Sequence, residues 1–386
     1  MIRRLKARQI FTENGILEDG VVCIENDRII SINDADADET LDFGEAMIFP
    51  GLIDIHVHGG NGYDPMDGTS EAVLGLARHK ANEGVTAFCP TTVTAGMAQT
   101  KQALDAIQAA RAINTNGARM LGVFCEGPYI STAYKGAHPA ESIRALDLDE
   151  IADLLDAGHG GIGSFAIAPE LENADEVIAY LVSRGIHVRL GHSAATYAQT
   201  RHAVDLGARI FIHTFNAMSP VNHREAGMAG AALLDDRAFG ELICDFVHVS
   251  KEAVRLAYRC KTADKIVLIT DALKAAGLPD GPSMLGELEV IVKDGVCRLP
   301  NGTLAGSTLR LLDGMRNMAS LGIPLEECVR MVTANPARAV GVYHETGSIA
   351  QGKLADFTVV DGNFNILFVM SNGRVLVNNF KGAAAN

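Results

Sequence analysis

The side chains able to do chemistry in this chain recur at one kind of place. His56 and His58 close the apolar run GLIDIHVHG, Glu126 closes RMLGVFCEG, and His192 closes IHVRLGHS. His213 follows in ARIFIHTFNA, His248 in GELICDFVHV and Asp271 in KIVLITDAL. Each apolar run reads as a strand with its polar group at the C-terminal end. Residues i and i+2 of a strand share a face, so His56 and His58 point the same way. Such a pair alone reads equally well as two histidines capping a strand. Further imidazoles and carboxylates at equivalent strand ends favour a metal centre. Imidazole and carboxylate donors suit Zn or Fe(II), and a hydrolytic centre keeps one position open for water. Asp271 is placed as a general acid/base that takes a proton from water and returns it to a leaving amine, although Asp also favours helix N-caps.

Two loops carry further candidates. His138, in YKGAHPA, follows the third strand, where it either reaches a substrate carbonyl or sits in solvent. In HTFNAMSPVNHREAGMAGA, after the sixth strand, Asn216, His223 and Arg224 bring amide and cationic donors into an acidic chain. A guanidinium can hold a phosphate bidentately; the plain alternative is a long loop of surface charges. Gly127-Pro128 predicts a tight turn that fixes Glu126.

The elements that must position these groups follow from the patterning. Apolar strands at 51–59, 85–93, 119–127, 163–170, 186–193, 208–217, 240–249 and 265–273 alternate with helical stretches such as SEAVLGLARHKANEG and SKEAVRLAYRCKT. Residues 51–342 therefore predict an α/β fold, a (β/α)8 TIM-like barrel with its chemistry at the C-terminal mouth. Helices are expected at 307–320 and 325–341, and a hairpin on the Lys-Asp-Gly turn within 286–302. Residues 1–50 and 343–386 show period-2 patterning broken by Asn, Asp and Gly. Neither end has strands enough for an independent sheet, so together they predict a small β-sandwich domain with the barrel inserted. Only the AAAN tail is low in complexity.

Composition narrows the partners. With 48% hydrophobic and 21% charged residues the chain is an ordinary globular protein. A net charge of −14 argues against nucleic acid, which needs a basic field, yet leaves room for one small anion held by local cations. The absence of Trp argues against a sugar platform of stacked indoles. Seven scattered Cys without a CxxC pair read as the reduced thiols of a cytoplasmic protein. No apolar region follows the basic MIRRLKARQIF as in a secretory signal, and no run reaches the ~18 residues of a membrane span.

Together FPGLIDIHVHGG, CPTTVT, EGPYI with KGAHPA, LGHSAAT, HTFNAMSP, LITDAL, NGTLAGSTL and NPARAVG resemble the N-acetylglucosamine-6-phosphate deacetylases of the amidohydrolase superfamily, over nearly the whole chain. The resemblance implies hydrolysis of the acetamide of N-acetylglucosamine 6-phosphate. The galacto epimer, or another amidohydrolase reaction such as deacetylation of an N-acyl amino acid, is the alternative. It implies that Glu126, His192 and His213 hold the main metal, and that His56 and His58, with Glu126 and Asp271, form a second position. One or two divalent ions, Zn or Fe, are thus expected per subunit. Asp271 becomes base and then acid, and His138 polarises the acetyl carbonyl. Asn216, Ala217, Arg224 and His248 contact the phosphorylated amino sugar, with His223 beside them. The matching arginine of the family reaches into a neighbouring subunit, which implies a homodimer. One departure stands out: HREAG replaces the usual GREPG. No lysine ends the fourth strand, so a carboxylated-lysine bridge is not expected.

Overall fold

The computed structural model describes residues 1–33, 36–114 and 116–380. The AAAN tail lies outside them. Eight parallel strands run in chain order round a barrel: Leu52–Val57, Val85–Thr92, Val123–Cys125, Ile162–Ile167, His187–Leu190, Ile210–Phe211, Phe239–Ile243 and Ile266–Ile269. Most are buried along their whole length, because helices cover the outside and side chains fill the inside. Ile53, Ile55, Phe124, Ile210, Ile243 and Ile269 belong to one buried cluster. Among the described residues no ladder joins the last strand to the first; backbone hydrogen bonds link them at the mouth, where the Asp271 amide donates to the His56 carbonyl at 3.0 Å and the His58 amide to the Ala272 carbonyl at 2.9 Å. That closure puts Asp271 beside both histidines.

The strands are shorter than the apolar runs. Only His56 lies inside a strand; His58, Glu126, His192, His213, His248 and Asp271 come after the last ladder residue. The helix expected at 325–341 is two, Leu325–Val332 and Ala334–Ala339. Pro336 has no N–H to give the Val332 carbonyl, and the chain breaks at Thr333. The expected hairpin forms between Leu288–Lys293 and Val296–Arg298, with Asp294 and Gly295 both at positive φ as a two-residue turn demands. A preceding strand, Gly281–Leu285, unrecognised in the sequence, extends it to three strands.

Both ends of the chain share a second sheet. Met47–Pro50 pairs antiparallel with Phe357–Val360, which joins N-terminal to C-terminal strands. The long strand Ile2–Thr12 pairs with Glu39–Asp42 near its start and with Met47–Pro50 further along, so the sheet divides there. Leu5, Ile10, Val22, Ile48, Phe357 and Phe368 form its core. Among the described residues no helix is long and apolar enough to cross a membrane.

Candidate active site at the barrel mouth

Two groups of ligating side chains meet at the mouth, and each could hold a metal ion: Glu126 with His192 and His213, and His56 with His58 and Asp271. In the first, Glu126 Oε1 lies 3.2 Å from both His192 Nε2 and His213 Nε2, which are 3.0 Å apart. In the second, His56 Nε2 lies 3.3 Å from His58 Nε2, and Asp271 Oδ1 is 3.5 and 3.3 Å from the two. Tetrahedral zinc with ligands at 2.0–2.1 Å has ligand-to-ligand edges of about 3.3 Å. Both groups match that spacing. Glu126 also faces both, since Oε2 is 3.0 Å from His58 Nε2.

Hydrogen bonds behind the rings set which nitrogen faces inward. His192 Nδ1 lies 3.0 Å from the Tyr134 carbonyl and His213 Nδ1 3.1 Å from that of Asn216. A carbonyl only accepts, so Nδ1 carries the proton and Nε2 presents its lone pair. His56 Nδ1 is fixed in the same sense by Glu241, at 2.9 Å. His138 is the reverse. The Thr94 amide donates to its Nδ1 at 3.4 Å, with the Thr94 hydroxyl at 2.7 Å, so the neutral ring carries its proton on Nε2. That nitrogen is 3.6 Å from Glu126 Oε2. Gly127 makes this possible: at φ +88° its missing Cβ would lie 1.9 Å from Thr94 Oγ1.

Charge divides the two groups. Burial alone would raise Glu126, but His56, His138, His192 and His213 hold it well below the usual carboxylate range. Asp271 is likewise pushed up by burial and brought down to about 2 by His56 and His58. Burial pushes both of those histidines down, yet the surrounding carboxylates raise His58 to about 9 and His56 well above its ordinary value. Burial and then His138 lower His192 to about 4. These directions favour a protonated His56 and His58 and a neutral His192, so an ion taken up by His56, His58 and Asp271 displaces protons.

The backbone is strained where these side chains emerge. His192, His213, Phe215, Ala217 and Asp271 have φ of 47, 27, 79, 49 and 50°. Left-handed conformations of such residues cost roughly 1–3 kcal/mol each and persist where the surroundings impose them.

Above the two groups opens a cleft of about 380 Å³, large enough for a sugar phosphate. Asn216, Ala217 and His248 line it, as does His138, which is buried rather than solvated. Leu285, Thr303 and Leu304 bring the three-stranded excursion into its wall. His248 is held by Asp245, with Nδ1 to Oδ2 at 2.6 Å. His223 and Arg224 are exposed and do not line the cleft of their own chain. They sit on a turn closed by Asn222 and Glu225, whose carboxylate accepts from the Tyr197 and Gly227 amides. Sequence reasoning missed Thr94, Tyr134, Asp245 and Glu241. A backbone carbonyl such as that of Tyr134 leaves no trace in sequence. Glu241 and Asp245, two carboxylates within the otherwise apolar run GELICDF, were signals there to read.

Comparison with known proteins fits this geometry. The amidohydrolase family profile matches residues 47–376. This chain belongs to the amidohydrolase family. Within it, the chain falls among the N-acetylglucosamine-6-phosphate deacetylases. It is 40% identical to such a deacetylase of Vibrio furnissii, over 93% of this chain and 91% of that one. It is also 40% identical to an N-acetylgalactosamine-6-phosphate deacetylase of Escherichia coli O157:H7, over 97% and 99%. A mutant Mycobacterium smegmatis N-acetyl-D-glucosamine-6-phosphate deacetylase, solved with N-acetyl-D-glucosamine-6-phosphate, superposes with a TM-score of 0.92 at 34% identity, covering 98% of this amidohydrolase and all of that chain.

Proposed function

We propose that this amidohydrolase removes the acetyl group of an N-acetylhexosamine 6-phosphate, the gluco epimer first and the galacto epimer as the second reading. The observation that carries this is the arrangement on Glu126: two ligand groups at the cleft floor, with the Asp271 carboxylate and the His138 Nε2–H both facing them. A divalent ion, Zn or Fe, held by Glu126, His192 and His213, with a second at His56, His58 and Asp271, would supply a Lewis acid and acidify water. Asp271, ionised at neutral pH, takes the proton of the attacking water and later gives it to the departing amine. His138 donates from Nε2 to the oxygen that becomes negative in the tetrahedral intermediate. Asn216, Ala217 and His248 contact the sugar. Arg224, with His223, binds the phosphate in the cleft of a second subunit of a cytoplasmic homodimer. Its exposure supports that role, as does exposed Val221 on the same turn.

The test is a substrate panel on metal-replete enzyme. The phosphorylated sugar should be preferred over the free one. Arg224→Ala should cut that preference by about 10- to 150-fold, the worth of a hydrogen-bonded charge, and leave the free sugar unchanged. Faster turnover of an N-acyl amino acid than of either phosphorylated epimer overturns the reading.

A further inference from the structure

Barrel interiors are ordinarily filled with layers of apolar side chains. This one contains a fully buried ion pair directly beneath the site: Arg189 and Glu241 are both 0% exposed, with Nη1 2.6 Å from Oε1. Arg189 comes from the fifth strand and ties the barrel across its middle. Its Nε donates to Ser164 Oγ at 2.9 Å, Nη1 donates to the Ile55 carbonyl at 2.9 Å, and the guanidinium lies 3.9 Å from the centre of the Phe124 ring. A buried pair of this kind is weak evidence for stability, since well-packed apolar residues of similar volume often serve as well. Its geometry points to another role.

The second carboxylate oxygen of Glu241 touches both ligand groups. Oε2 accepts from His56 Nδ1–H at 2.9 Å and from the backbone amide of His213 at 3.3 Å. The Glu241 carbonyl meanwhile accepts from the Thr214 amide at 2.8 Å, at the foot of the left-handed stretch. The two ring partners behind His192 and His213 are neutral carbonyls. His58 Nδ1 is buried without a partner. Among the described residues, His56 is the one of these four histidines whose Nδ1 is hydrogen-bonded to a carboxylate, and that carboxylate is itself oriented by Arg189.

We infer that Glu241, held by Arg189, is a positioning residue for the metal centre: it fixes the His56 tautomer with Nε2 inward, makes that ring the more basic donor, and anchors the His213 backbone of the other group. A carboxylate behind a ligating imidazole raises its basicity and sets its orientation, and removing one weakens metal binding by about 10- to 100-fold. The inference rests on the metal centre proposed above but not on the identity of the substrate. It is therefore read by metal binding and not by turnover.

The experiment titrates metal-free enzyme with zinc against a competing chelating indicator. It compares wild type, Glu241→Gln, and the double variant Arg189→Met/Glu241→Leu. The double variant removes both buried charges and so keeps the test alive should the single variant, with Arg189 left unpaired, fail to fold. At least one zinc-binding step should weaken by about 10-fold or more in each folded variant. In proton–nitrogen spectra of the metal-free protein, the Nδ1–H resonance of His56 should be strongly downfield in wild type and shifted or lost in both variants. A folded double variant whose zinc titration overlays that of wild type overturns the inference. So does a His56 ring protonated at Nε2 alone in the metal-free wild type. A deacetylase reading that failed on the substrate panel would leave this titration unaffected.

Discussion

The terminal sheet and the barrel mouth handle the same difficulties in opposite ways. In the sheet, left-handed backbone occurs mostly at Asp19, Asn26, Asn33 and Asn372, residue types that tolerate it, with Phe364 the exception. Among non-glycine residues at the mouth it occurs at His192, His213, Phe215, Ala217, Phe246 and Asp271, of which Phe215, Ala217 and Phe246 are types that do not tolerate it. Charges divide in the same way. The N-terminal strands of the sheet keep the pairs Lys6–Asp42 and Arg8–Asp19 in solvent. The barrel buries Lys80 between Asp54, at 3.0 Å, and Glu83, at 2.9 Å, and the same Asp54 oxygen, Oδ2, accepts from the Thr270 hydroxyl at 2.6 Å, next to Asp271. The sheet is satisfied locally. The mouth holds conformations that its own sequence disfavours, and distant residues enforce them.

The sharpest way to break that comparison is at Asp271. Asp271→Asn keeps the shape and removes the base, so kcat should fall by about 10²- to 10⁴-fold. Elemental analysis must show metal still bound at the Glu126 group. A variant that holds metal and retains most of its kcat would mean the strained position serves something other than proton transfer.

A smaller effect is expected behind the site. Burial pushes Glu83 up, but Lys80 and then His79 bring it down to about 2 from 4.5. A carboxylate lowered in the folded state stabilises fully above its unfolded pKa, and that contribution is lost as pH falls through the folded value. Between pH 4.5 and 2, chemical denaturation should therefore show wild-type stability falling by on the order of 3 kcal/mol more than in Glu83→Gln. Asp42→Asn in the exposed sheet pair should change stability by only about 0–1 kcal/mol. Equal acid profiles for wild type and Glu83→Gln would show that the buried network is not held more strongly than a surface pair.

The smallest effect tests strain alone. Ala217→Gly relieves a left-handed alanine and should raise stability by up to about 1 kcal/mol, while the loosened cleft wall lowers kcat/KM a few-fold. Asn26→Gly, in a tolerant turn of the sheet, should move neither by more than about 0.5 kcal/mol. Thermal melts with parallel kinetics decide it, and an Ala217→Gly that is less stable than wild type removes strain from the argument.

Much of this was legible from residue type and order. Apolar runs ending in His, Glu or Asp gave the barrel, because strand burial and the barrel mouth impose that pattern on any sequence that builds it. Asn, Asp and Gly at the ends of the chain marked the turns of the terminal sheet, because the tolerance of those residues for positive φ is local. Tertiary structure alone decided the rest. It moved six of the seven strand-end groups off their strands into the segments that follow, because the parallel ladders end before them. It buried His138, which as a lone loop histidine reads in the sequence more readily as a solvated surface residue, by backing it with Thr94 across Gly127. It left Arg224 outside its own cleft. It also chose the proton-bearing nitrogen of His56, His138, His192 and His213 through Glu241, the Thr94 amide and two backbone carbonyls. Those partners are set by which backbone and side-chain atoms come within about 3 Å in space, and spacing along a chain carries no record of that.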